Sequence, residues 1–179
     1  MESAAALLAR VEDRIAQACR AEGVTLLQAH CDRLDARQAR TLEKAGATWV
    51  TGFAPQQQAI ARADAVITHA GLNTVMDALV AGKPTLMVPI AFDQPGVAAR
   101  VVHAGAGLRL LPPLATVSAL RRALRQLLDE PRFAQRAGAL GAHVRDAGGA
   151  ERAADIVEAA IASRSPVLRP DAAADRMAA

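Results

Sequence analysis

Aromatic side chains are almost missing from this sequence: three Phe, one Trp and no Tyr among 179 residues, 2% of the chain. The net charge of +3 comes mostly from arginines spread along helical segments. With neither aromatic interleaving nor a block of like charge, nucleic acid is not an expected partner. Cysteine is equally scarce. Cys19 and Cys31 lack the spacing of metal ligands or of a secreted disulfide framework, and a reducing cytoplasm fits them best. No apolar run reaches the roughly 18 residues of a membrane span, and the amino terminus carries no signal-peptide core. The expected location is therefore cytoplasmic, with any membrane contact peripheral at the inner face. There is no Gly-x-Ser-x-Gly elbow, no Asp-x-Asp, no His/Cys cluster and no carboxylate pair spaced for glycoside hydrolysis. Serine hydrolysis, a bound metal and glycosidase chemistry all lose their usual carriers.

What the chain does have is aliphatic. Hydrophobic residues make up 52%, chiefly Ala, Leu and Val, enough for one domain with a real core. Residues 4–21 put Leu7, Leu8, Val11, Ile15, Ala18 and Cys19 on one helical face, with Arg10, Glu12, Asp13 and Arg14 mostly opposite. A strand over 24–29 follows, then a helix over 34–45 stopped by Gly46, a short strand at 48–50, and a helix ending at Arg62. Strand 65–68, helix 72–81, strand 85–89, helix 95–104 and strand 107–111 continue the alternation. Gly82 and Gly105 stand where helices end, and Pro95 suits a first turn. Thr116 can cap a helix, Pro131 opens another, and Gly148-Gly149 precedes a last amphipathic helix over 150–162. Alternating strands and helices predict an α/β fold, a Rossmann-like parallel sheet flanked by helices. Residues 1–164 form the expected domain, and 165–179 an expected disordered tail. A Rossmann-like sheet starts on a central strand, whereas the first element here is the helix after it. The sheet is expected to lack its first strand.

The densest chemistry lies between residues 53 and 94. Val66-Ile67 runs into Thr68-His69-Ala70-Gly71, and Leu72-Asn73-Thr74 opens a helix. Thr85-Leu86-Met87-Val88 ends at Pro89, with Asp93-Gln94 shortly after. Loops after strand carboxyl ends line the ligand crevice of a parallel sheet, and a glycine turn with small polar residues at a helix start is a ready anion site. A phosphate-bearing ligand with a hydroxyl-rich group fits.

The ordered set Phe53-Ala54-Pro55-Gln56, His69-Ala70-Gly71-Leu72-Asn73-Thr74-Val75-Met76-Asp77 and Asp93-Gln94 resembles the nucleotide-sugar signature of the GT-B glycosyltransferases that use UDP-sugars. DQPGVAAR (93–100) and VVHAGAGLRL (101–110) look closest to the bacterial carotenoid (zeaxanthin) glucosyltransferase branch. The resemblance implies the carboxyl-terminal, donor-binding half of an inverting, metal-independent enzyme without a cofactor. UDP-sugar is then a substrate. A small lipophilic hydroxylated acceptor is held with a catalytic base in an amino-terminal half, in cis or trans.

By that resemblance His69 donates to the donor's phosphates beside the amides of Gly71 to Thr74. Asn73 and Thr74 sit at the helix start, and Asp77, one turn on, reaches the ribose. Phe53 stacks on uracil, backbone groups at Ala54 read the base edge, and Gln56 ends that turn. Asp93 and Gln94 offer acceptors and donors to the hexose. Each has a plainer alternative. In it His69 bonds a local carbonyl, Asn73 and Thr74 their own helix amides, and Asp77 water; Phe53 is core, and Asp93 a helix cap. His30 and His103 belong to no motif and read as structural. Two other functions remain open: a non-catalytic nucleotide-sugar-binding module or auxiliary subunit, and a GT-B-fold sugar-nucleotide epimerase. Asp93-Gln94 and Phe53-x-Pro-Gln count against the epimerase.

Overall fold

The computed structural model describes residues 3–168. Helix α1 (Ala4–Ala21) begins at Ser3, whose side chain accepts from the Ala6 amide at 3.2 Å. It leads to β1 (Leu27–Ala29), α2 (Ala36–Ala45), β2 (Trp49–Thr51) and α3 (Gln56–Arg62). Asp35 and Gln38 close a capping box on α2, the reciprocal pair that satisfies its first amides. Then come β3 (Val66–Thr68), α4 (Leu72–Val80), β4 (Thr85–Met87), α5 (Gln94–His103) and β5 (Gly107–Arg109). A 3-10 turn, Pro112–Leu114, precedes α6 (Val117–Asp129), which Thr116 caps by accepting from Ala119 N at 3.2 Å. Helices α7 (Arg132–Asp146) and α8 (Gly149–Ser163) complete the described chain. Gly82 and Gly105 take φ of 68° and 74° just past α4 and α5, the left-handed stop the sequence suggested.

The expected parallel sheet is present in two pieces. β1 pairs with β2, and β3, β4 and β5 pair in that order, every pair parallel; β1 and β3 are not hydrogen-bonded to each other. The missing first strand shows as this break. Strands are also shorter than the sequence suggests, since 24–26 and 88–89 make no regular ladder.

β4 organises the core. Leu86 and Met87 are both fully buried and turn to opposite faces, as successive strand residues must. Leu86 joins Val11, Ala18 and Cys19 of α1 and Leu120, Leu124 and Leu127 of α6; Met87 joins Val75, Val97 and Ala137 of α4, α5 and α7. Helices therefore cover both faces, as parallel strands require. A third cluster, Ala16, Leu42 and Ala47, holds α2 to α1. Gly107 lets β5 lie close to β4, because a β-carbon there would stand 2.4 Å from the Thr85 carbonyl oxygen.

Glu12 departs from the solvent face that the helical pattern predicts: it is buried and accepts from Arg33 Nη2 at 3.0 Å. The partner, 21 residues on, lies outside any helical pattern.

Contacts divide the chain into a unit ending at Ala142 and a second beginning at His143. Within the second, α8 buries none of its residues, and 164–168 are exposed and non-helical. Of the expected tail, 169–179 lies outside the described residues. Among the described residues no helix is long and apolar enough to cross a membrane.

Candidate functional site

The site is built on the carboxyl ends of β3 and β4. These strands leave the sheet side by side, Thr68 in register with Met87, and the Val88 amide donates to the Thr68 carbonyl at 2.9 Å. After β3 the chain turns sharply. Ala70 is buried with φ 70°, a left-handed conformation uncommon for alanine, and its amide donates to Thr68 Oγ1 at 3.2 Å. This kink presents His69 to solvent at the head of α4. A β-carbon on Gly71 would lie 2.6 Å from His69 Nε2, so glycine makes room for the imidazole to fold over the helix start.

Gly71 is also the N-cap of α4, and no side chain caps the helix. Asn73 is exposed and Thr74 half-buried; neither side chain bonds the amides of its own turn, contrary to the capping alternative. The first amides of α4 thus lie beside His69 with the positive end of the helix dipole, an arrangement suited to a diphosphate.

Asp77, one turn further, does not simply face water. Its Oδ2 accepts from Gln56 Nε2 at 2.7 Å and its Oδ1 from Gln57 Nε2 at 3.3 Å. Two candidate residues from distant parts of the sequence thus meet directly across α3 and α4. Gln57 was not anticipated; its only signal was the run Gln56-Gln57-Gln58. Phe53, expected as either a stacking platform or core, is 80% exposed, which removes the core alternative. Thr51 Oγ1 donates to its carbonyl at 2.9 Å and fixes the loop in which Ala54 is half-buried.

Asp93 occupies the N-cap position of α5 but makes no side-chain cap bond. Its φ and ψ, −78° and −13°, are helical, whereas a capping residue takes extended angles that swing its side chain back to the amides. The capping alternative fails here, and the carboxylate is exposed. Gln94 offers a ligand less than its sequence suggests. Its Oε1 accepts from the amides of Ile90 at 2.8 Å and Ala91 at 2.9 Å, so only its NH2 group remains for a ligand. Those bonds brace a loop in which Phe92, at φ 57°, is 94% exposed. His30 is structural as expected: buried, with Nδ1 accepting from Leu34 N at 3.3 Å. His103 is exposed in the last turn of α5. Among the described residues no three His, Cys, Asp or Glu side chains group as metal ligands do.

Residues 2–157 match the model of the glycosyltransferase family 28 C-terminal domain. The chain belongs to that family. Among curated relatives of this family-28 domain, the zeaxanthin glucosyltransferase of Pseudescherichia vulneris is 44% identical over 158 residues, 88% of this chain and 38% of the relative. That of Pantoea ananas is 43% identical over 154 residues, 86% of this chain and 36% of the relative. The chain therefore spans well under half the length of both. Among solved structures, CalG4, the calicheamicin glycosyltransferase, superposes with a TM-score of 0.75 at 26% identity, over 88% of this chain and 41% of that one. The Rossmann-like domain of a GT-B glycosyltransferase is thus the fold of this family-28 domain.

Proposed function

We propose that this domain is the donor-binding half of a UDP-sugar-dependent glycosyltransferase. It would transfer a hexose, glucose by analogy with the named relatives, to a hydroxyl of a lipophilic acceptor such as a hydroxylated carotenoid. The observation that carries the reading is the uncapped start of α4 with His69 folded over Gly71, next to a loop that holds an uncapping, exposed Asp93. The first feature suits a diphosphate and the second a hexose.

In this reading the acceptor oxygen attacks the anomeric carbon with inversion, and the bond to the diphosphate breaks. The α4 amides, Asn73, Thr74 and a proton on His69 stabilise the departing UDP. These groups replace the metal that other diphosphate chemistry employs, so neither metal nor cofactor is needed. Asp77, held by Gln56, accepts from the ribose, and Phe53 and Ala54 take the base. Asp93 accepts from hexose hydroxyls while the Gln94 amide donates to them. The acceptor pocket and the base belong to an amino-terminal half, in cis or trans. The reaction would take place in the cytoplasm, at the inner membrane face where a lipophilic acceptor resides.

Calorimetric titration with UDP, UDP-glucose and ADP tests this. Binding of the uridine compounds in preference to ADP is expected, and equal binding of all three, or none, would overturn the reading. His69→Ala should weaken UDP and UDP-glucose alike by about 1.5–3 kcal/mol, the worth of a charge-assisted bond, and leave uridine unchanged. Asp93→Asn should weaken UDP-glucose by about 1–3 kcal/mol and spare UDP.

A further inference from the structure

The side of α6 turned away from the core carries three arginines within five residues. Leu120, Ala123, Leu124 and Leu127 are buried, which leaves Ser118, Arg121, Arg122 and Arg125 on one outer stripe, three and four residues apart. Together with Glu22 they line an open cavity of about 220 Å³. Glu22 precedes β1, so the cavity lies toward the amino-terminal end of that strand. The candidate donor residues follow the carboxyl ends of β2, β3 and β4, and none of them lines it.

Like charges three and four apart on a helix repel, and Glu22 is the one acid among the residues that line the cavity. Asp129, a turn beyond Arg125, is the next acid along α6. Both Glu22 oxygens are engaged. Oε1 accepts from Arg121 Nε at 2.5 Å, and Oε2 accepts from Arg125 Nε at 3.1 Å and from Arg125 Nη2. The Glu22 side chain is only 9% exposed, so it holds the two guanidiniums side by side from within the fold. Among the described residues, neither Nη group of Arg121, nor Nη1 of Arg125, nor any nitrogen of Arg122 has a hydrogen-bond partner. Fixed guanidinium forks match the oxygens of a phosphate group, and the Ser118 hydroxyl adds a donor to the same stripe. The cavity is smaller than the roughly 300–1,000 Å³ of ordinary small-molecule sites, which suits a compact anion better than a nucleotide.

We infer that this cavity is a phosphate site separate from the donor crevice. Its ligand carries a phosphate monoester or diester, on a soluble small molecule or on a lipid headgroup. The phosphate supplies the negative charge that the arginine stripe lacks. Arg122 binds it directly, and Glu22 positions Arg121 and Arg125 to do the same. The inference stands on α1 and α6 alone and needs no donor binding.

The test titrates the purified chain with glycerol 3-phosphate at constant ionic strength. In parallel it measures co-sedimentation with phosphatidylcholine vesicles, with and without phosphatidylglycerol. Saturable binding of glycerol 3-phosphate would identify a soluble ligand, and binding to the phosphatidylglycerol vesicles alone a lipid headgroup; either supports the site. Excess UDP should displace neither. Arg122 is exposed and makes no ion pair, so Arg122→Gln should leave the melting transition in place. It should weaken binding by about tenfold or more, the fold-change of one lost charge-assisted bond. Arg152→Gln removes the same charge from an exposed position on α8 and should change nothing. Four outcomes overturn the inference. Neither probe binds; UDP displaces the probe, which would put it in the crevice; Arg122→Gln binds as the wild type does; or Arg152→Gln loses as much, which would make the attraction one of diffuse charge.

Discussion

The two sheets of this domain are unequal. In the β3–β4–β5 sheet the middle strand is buried throughout, and clusters on both faces converge on Leu86 and Met87. In the β1–β2 sheet Leu27 is 44% and Trp49 59% exposed, and the cluster against which Val50 packs, Ala16, Leu42 and Ala47, is small. The candidate site follows the same division. His69, Gly71, Asn73, Thr74, Asp77, Asp93 and Gln94 all project from the well-packed side, while Phe53, Ala54 and Gln56 follow β2. A phosphate or hexose contact needs geometry fixed to fractions of an ångström, and a braced sheet supplies it. A flat aromatic platform tolerates more movement, which suits Phe53 to the looser side.

The largest expected effect breaks this contrast directly. Leu86→Ala removes a fully buried side chain from the α1–α6 core and should destabilise by about 2–5 kcal/mol, transfer term and cavity together. Trp49→Ala, at a half-exposed position of the other sheet, should change stability by only about 0.5 kcal/mol. Urea unfolding of both variants checks it. Comparable losses would mean that β1–β2 bears as much of the structure as β4.

The same contrast governs what the sequence could tell. The α1 face, the glycine stops after α4 and α5, and the Thr116 cap are local signals, written within four residues of where they act. The site's order along the chain was legible for a similar reason: His69 to Asp77 is one strand end and one helix. The rest depended on distant partners. Glu12 is buried because Arg33 meets it, and Asp77 is engaged because α3 brings Gln56 and Gln57 to it. Gln94 turns its oxygen to Ile90 and Ala91 only because the loop after β4 folds back. A cap was the plainer alternative for Asp93, and only its helical backbone angles, which sequence does not give, set that alternative aside. Strand β1 shrank to three residues, since a strand with one neighbour extends only as far as that ladder partner does.

A smaller effect concerns the joint between the two regions. Glu22, which ends α1 just before β1, accepts from Arg121 Nε at 2.5 Å and from Arg125 Nη2, both on α6 beneath β4. The hydrogen bonds from Arg125 and then Arg121 hold its carboxyl below the ordinary value of 4.5. A carboxylate with a lowered folded pKa adds stability that is fully present above its unfolded pKa and lost as pH falls through the folded one. The wild type should therefore melt above Glu22→Gln at about pH 6, and the gap should close on acidification below 4.5. The gap should stay below that of Leu86→Ala. A gap independent of pH would show that the two arginines act on the glutamine equally well, through hydrogen bonding alone.

The smallest effect tests whether the site truly spans both regions. Gln56 belongs to α3, which follows β2, and Asp77 to α4, which follows β3; their bond at 2.7 Å joins the two inside the candidate site. It is exposed, so its net worth to stability is small, about 0.5 kcal/mol. Its value would lie in aiming the Asp77 carboxylate at a ribose. Uridine, UDP and UDP-glucose all carry that ribose, so Gln56→Ala should weaken the three equally, by about 0.5–1.5 kcal/mol. This pattern differs from that of His69→Ala, which follows the diphosphate, and from that of Asp93→Asn, which follows the hexose. Gln57 also bonds Asp77, at 3.3 Å, and can partly stand in, so the loss should grow in the Gln56→Ala, Gln57→Ala double variant. A double-mutant cycle between Gln56→Ala and Asp77→Ala separates aiming from clamping. Coupling in uridine affinity places Asp77 on the ribose with Gln56 holding it there. Coupling in melting temperature alone would make the pair a brace between α3 and α4, and would take Asp77 and Gln56 out of the donor site.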